Sequence, residues 1–89
     1  MPPRVLHFRK MWNSPMQVQV RLFANFRIGR FKEQMRDFPP GTSIRKAVEE
    51  LGIDASQVGT VLVDSKYAKL DQELHENARL GIFPMVGGG

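Results

Sequence analysis

The side chains able to do chemistry are few: His7 and His75, a Ser65/Asp71/His75 trio, the Glu49-Glu50 pair, and a closing run Gly87-Gly88-Gly89. Neither histidine has a second ligand at a spacing that would hold a metal, and both read as ordinary surface residues. The trio contains the atoms of a catalytic triad, but no nucleophile-elbow pattern surrounds the serine. Glu49-Glu50 falls on the solvated side of a helix and is better explained by solubility than by acid–base work. The glycines precede no helix and so cannot cradle a phosphate. Cysteine is absent, which removes thiolate nucleophiles, disulfides and Cys-based metal sites. The chain does not read as an enzyme by itself.

The glycine run has two readings. Ordering glycine costs more conformational entropy than ordering any other residue, so a terminal triplet can be an inert, solvated end. Alternatively, the lack of side chains is the purpose. A carboxylate activated as an acyl-adenylate becomes an electrophile for sulfide, persulfide or an amine. That chemistry requires the terminus to enter a partner's nucleotide site through a narrow channel. Three extended glycines reach about 10 Å and pass where any Cβ would jam.

The elements that would carry this end can be read from periodicity. "MQVQVRLF" alternates, with Val18, Val20 and Leu22 on one face and Gln17, Gln19, Arg21 and Phe23 on the other, a half-buried strand. "ANFRIGRFKE" is a loop or helical turn with Gly29 as its breaker. "EQMRDF" reads as a second strand, antiparallel to the first and closed by Pro39-Pro40-Gly41. In "TSIRKAVEELG", Thr42 or Ser43 can cap a helix whose Ile44, Ala47, Val48 and Leu51 form one apolar stripe, with Gly52 at C′. Arg45/Glu49 and Lys46/Glu50 are spaced as i,i+4 pairs on its wet side. "GTVLVD" predicts a short buried strand, "SKYAKL" a short fourth strand, "DQELHEN" a turn, and "ARLGIFPMV" a last strand that Pro84 confines to an edge or an early end. One sheet crossed by one amphipathic helix is a two-layer α+β domain.

The 89 residues allow a single domain, one that buries only about 60% of its unfolded surface. Of the formal charge of +4, three units lie in Met1–Pro15, as Arg4, Arg9 and Lys10 without an acidic partner. The rest is close to neutral, which argues against a nucleic-acid face. Apolar runs are far too short to span a membrane, and no continuous apolar segment suggests a secretory signal. Residues 1–15, with three prolines, are expected to form a flexible basic extension, 16–84 the folded domain, and 85–89 a flexible tail. A cytoplasmic setting fits the absence of cysteine.

Alternation places Phe23 on the polar face of the first strand and Phe83 on the corresponding outer face of the last. With Met85 nearby, these residues form an apolar patch of the kind that marks a partner site.

"VQVRLFANFR", "PPGTSIRKAVEELGI", "VLVDS" and above all "LGIFPMVGGG" resemble the ubiquitin-like sulfur carriers of the β-grasp fold. That family includes the small subunit of molybdopterin synthase and the thiamine-pathway sulfur carrier. The resemblance covers Met16–Gly89 and implies a mixed sheet of four to five strands around one main helix. It further implies that an E1-like enzyme using magnesium-ATP adenylates the Gly89 carboxylate. A sulfur donor protein then makes the thiocarboxylate, and a synthase subunit receives the sulfur. This chain would bind no cofactor of its own, Gly87 and Gly88 would thread the channel, and Phe23 and Phe83 would dock on partners. The same tail would serve a ubiquitin-like protein modifier, which is the alternative. A plain interaction domain with an inert tail is the third reading.

Three positions depart from the family pattern. Asp64-Ser65 stands where the family has Asn-Gly, Glu76-Asn77-Ala78 where it often has Asp-Gly-Asp, and Met85 in place of a common second proline. The triple glycine resembles a subgroup associated with tungsten- or molybdenum-dependent aldehyde oxidoreductase pathways.

Overall fold

A computed structural model describes residues 15–85. The expectations for the extension before Pro15, and for Gly87, Gly88 and Gly89, lie outside the described residues. The strands are β1 (Met16–Leu22), β2 (Glu33–Phe38), β3 (Val58–Val63), β4 (Lys66–Ala68) and β5 (Arg79–Pro84), with one helix, α1 (Ile44–Glu50), between β2 and β3. Two 3₁₀ turns, Ala24–Arg27 and Ala55–Gln57, complete the order.

The strands form one mixed sheet in the order β2-β1-β5-β3-β4. β1 pairs antiparallel with β2 and parallel with β5, and β3 pairs antiparallel with both β5 and β4. The helix covers one face. Val18, Val20 and Leu22 from β1, Leu80 and Ile82 from β5, Val61 and Val63 from β3, and Ile44, Ala47, Val48 and Leu51 from the helix segment are buried together. This is the β-grasp arrangement that the resemblance implies. The last strand is therefore central: Pro84 marks an early end and not an edge.

The helix has only seven residues, so its ends matter. The Ser43 hydroxyl accepts the Lys46 N–H at 3.1 Å. The Ile44 and Arg45 N–H groups donate to the carbonyls of Gln72 and Leu70, at 2.9 and 2.8 Å. The first-turn donors are thus satisfied, partly by the segment read as a turn. At the other end, Arg30 donates from Nε to the Leu51 carbonyl and from Nη2 to the Gly52 carbonyl.

Two expectations need correction. Neither i,i+4 ion pair closes among the described residues; Arg45 instead reaches Asp71 at 3.0 Å, because the 69–74 segment lies alongside the helix start. β3 is half-buried, not buried: Val61 and Val63 face the core, while Leu62 faces outward opposite Gly81 and Tyr67.

Candidate functional site: the outer sheet face and the tail exit

Among the described residues, no element covers the face of the sheet opposite the helix. Register places Phe23, immediately after β1, beside β5, with the Phe23 N–H donating to the Ile82 carbonyl at 3.2 Å. The rings of Phe23 and Phe83 stack with centroids 4.0 Å apart and planes 7° from parallel. Gly81, between the two strands' outward side chains, forms the floor. A Cβ there would lie at ordinary contact distance from both rings, 3.5 and 3.6 Å. Larger side chains would fill the depression that Gln19, Arg21, Leu62, Arg79 and the two phenylalanines line. Tyr67, on the same face, is 85% exposed, and Met35 is half exposed opposite Gln19.

Cations ring the aromatic pair. The guanidinium carbons of Arg21 and Arg27 lie 5.3 and 5.4 Å from the Phe23 ring centre, within cation–π range. Arg27 is held by its Nε, which donates to the Leu22 carbonyl at 2.7 Å. Arg21 is partly neutralised by Glu33 at 3.8 Å, and Glu33 also accepts from the Gln19 amide. The face therefore offers two half-buried rings and guanidinium groups to a partner's apolar and acidic side chains.

Met85 stands apart from the pair. It is 61% exposed and, with Pro84, borders a second depression lined by Phe26, Arg30, Gly52 and Gln57. Its N–H donates to the Gln57 carbonyl at 3.0 Å, the backbone bond nearest the C-terminus among the described residues. The docking residues expected from sequence thus divide: Phe23 and Phe83 meet, and Met85 belongs to the exit of the chain. Arg21, Arg27 and Leu62 were missed. The outward phase of β1 carries Arg21, and an alternating reading of β3 would have found Leu62.

The Ser65/Asp71/His75 trio does not assemble as a triad. His75 contacts Asp64, with Nε2 at 2.8 Å from the carboxylate, while Nδ1 lies 2.9 Å from the Glu76 carbonyl. Both partners are acceptors, so both ring nitrogens must carry protons for the two bonds to coexist. The Glu76 carbonyl, then Asp64, raises the His75 pKa. The Arg79 N–H, donating to Asp64 at 3.0 Å, is the main cause of that carboxyl's lowered pKa. This cluster braces a turn and does not form a reactive centre. Asp64 and Ser65 hold φ of 53° and 71°, and Asn77 holds 64°. These are left-handed values at the turns where the resemblance expects glycine-containing sequences. Among the described residues no three His, Asp or Glu side chains converge as metal ligands, and no helix is long and apolar enough to cross a membrane.

Fold and face together define a small ubiquitin-like β-grasp domain in which Phe83, on the strand that leads to the glycine run, stacks on Phe23 from the end of β1. The ThiS family model matches residues 20–89, and the chain belongs to that family, whose members are small carrier proteins rather than catalysts. Among solved structures, it is similar to a Pyrococcus furiosus protein described as molybdopterin converting factor, subunit 1. The two are 27% identical with a TM-score of 0.65, over 80% of this chain and 99% of that one. The Haloferax volcanii HVO 2177 protein is similar at 20% identity and a TM-score of 0.69, over 84% and 88% of the two chains. Small archaeal modifier protein 1 of H. volcanii is 18% identical with a TM-score of 0.65, over 80% and 99%. These last two likenesses are of fold. No curated protein sequence matches the chain.

Proposed function

We propose that this protein is a sulfur carrier whose reactive group is the carboxylate of Gly89. The observation that carries the reading is a family match that runs through the glycine run to residue 89. The outward stacking of Phe83, on the strand leading there, against Phe23 supports it.

An E1-like enzyme, holding the ATP and magnesium, docks on the aromatic face. One carboxylate oxygen of Gly89 attacks the α-phosphorus of ATP, and pyrophosphate leaves. A sulfide equivalent from a donor protein attacks the acyl carbon, AMP departs with the electrons of the broken C–O bond, and a thiocarboxylate remains. That sulfur passes through a synthase subunit to a thiazole or pterin precursor, in thiamine or in molybdopterin or tungstopterin biosynthesis. The carrier supplies no catalytic group; it presents its end and is consumed and regenerated as a cosubstrate.

Adenylation requires the α-carboxylate of Gly89 to be free and the tail to be slim. A chain extended by one alanine after Gly89 should release no pyrophosphate with the activating enzyme, at an unchanged melting temperature. Normal pyrophosphate release from the extended chain, without prior trimming, would contradict the reading.

A further inference from the structure

We infer that Gly59 is a positioning residue that sets the direction in which the reactive end leaves the domain. The inference rests on the carrier reading for its consequence, but its structural content stands on the sheet itself. Between β3 and β5 the register slips: Val58 opposes Pro84 and Thr60 opposes Phe83, so Gly59 has no opposite residue. It is the extra residue of a bulge, a device that bends a strand and re-aims the chain around it.

The exiting chain passes directly over it. A Cβ at position 59 would lie 2.8 Å from the Met85 Cα, 2.8 Å from the Pro84 carbonyl oxygen and 3.0 Å from the Met85 nitrogen. All three are backbone atoms, which cannot swing aside as a side chain can, so any residue but glycine must push Pro84-Met85 off the sheet. At no other described glycine does a Cβ come so close: at Gly81 the nearest atoms are side-chain carbons at 3.5 Å or more, and Gly29 and Gly41 have open space. The φ of Gly59 is not in the left-handed region, so close approach, not backbone conformation, is what requires glycine there.

A second contact fixes the same point. The Met85 N–H is held by the Gln57 carbonyl, at the end of the Ala55–Gln57 turn. That turn is capped by Asp54, whose carboxylate accepts both the Ser56 N–H at 2.9 Å and its hydroxyl at 2.7 Å. Gly59 from below and Gln57 from the side thus anchor the chain two residues after Phe83. The aromatic face and the launch point are rigidly related, and four residues, about 13–14 Å when extended, span from Met85 to the reacting carboxylate. An enzyme docked on Phe83 receives the end along a direction the bulge has set.

Two readouts test this on the full chain. The first is hydrogen exchange at the Met85 amide, which should be protected in the wild type and should exchange faster in Gly59→Ala. The second is steady-state pyrophosphate release with the activating enzyme, magnesium-ATP and a sulfur donor that consumes the adenylate. Gly59→Ala should lower kcat about 10- to 100-fold, the scale on which small misplacements act, with KM for the carrier unchanged because Phe23 and Phe83 still dock. Partial unfolding would instead raise the apparent KM and leave kcat alone. Asp54→Ala, an exposed change that loosens the Gln57 anchor, should move both readouts the same way by a smaller factor and keeps the test available if Gly59→Ala does not fold. An unchanged kcat in a folded variant, a rise in KM alone, or an unprotected Met85 amide in the wild type would overturn the inference. A wild-type chain that the enzyme leaves unmodified would instead overturn the carrier reading, and the exchange result would still decide whether Gly59 places the tail.

Discussion

Phe23, the residue after β1, and Phe83, in its parallel neighbour β5, stack their rings at 4.0 Å on the face the helix does not cover. Most of the domain's chain lies between these two residues, and Arg21 and Arg27 stand over one of the rings. The stack fixes an apolar contact surface just before the segment that leads to the glycine run.

Phe83→Ala should therefore weaken binding to the activating enzyme by about 1–3 kcal/mol, the range for aromatic anchors. Since the ring is only half-buried, the melting temperature should fall little. Calorimetric titration and thermal denaturation of the same variant separate the two effects. A large loss of stability with unchanged affinity would assign Phe83 to the fold and not to docking.

The Asp64–His75 contact predicts a pH dependence of definite sign. The folded-state pKa of His75 is raised, so its contribution is complete below the ordinary value of 6.5 and is lost as pH rises through the folded value. The folded-state pKa of Asp64 is lowered, so its contribution is complete above 3.8 and is lost as pH falls through the folded value. His75→Gln should depress the melting temperature most between these two limits and progressively less at alkaline pH. A difference that stays constant across the range would show that the charged imidazole is not what braces the turn.

The β3–β4 turn holds two left-handed residues, neither of them glycine. Ser65→Gly should raise stability by up to about 1 kcal/mol by removing the Cβ penalty at that position. Asp64→Gly should lower it, because the carboxylate holds the Arg79 N–H and the His75 ring. Urea denaturation of both variants distinguishes relief of backbone strain from loss of side-chain bonding.

Much of this molecule can be read along the chain. β2 occupies the six residues that its composition marks, and the helix has its cap at Ser43 and its stripe at Ile44, Ala47 and Val48, because these signals are local. Alternation alone places Phe23 and Phe83 outward. What escaped depends on pairing between distant segments. Arg45 meets Asp71 and His75 meets Asp64 only after the 69–77 segment has crossed back over the domain. The tightness over Gly59 exists only once β5 lies beside β3. Local patterns specify which face is buried; they carry no information about which loop lies against it.

The most direct test of the carrier reading is the intact mass of the protein after incubation with the activating enzyme, magnesium-ATP and a sulfur donor. The reading predicts a gain equal to the replacement of one oxygen by one sulfur, localised by fragmentation to the peptide ending in Gly89. An unchanged mass, or a ladder of isopeptide conjugates to lysine in place of that product, would contradict it.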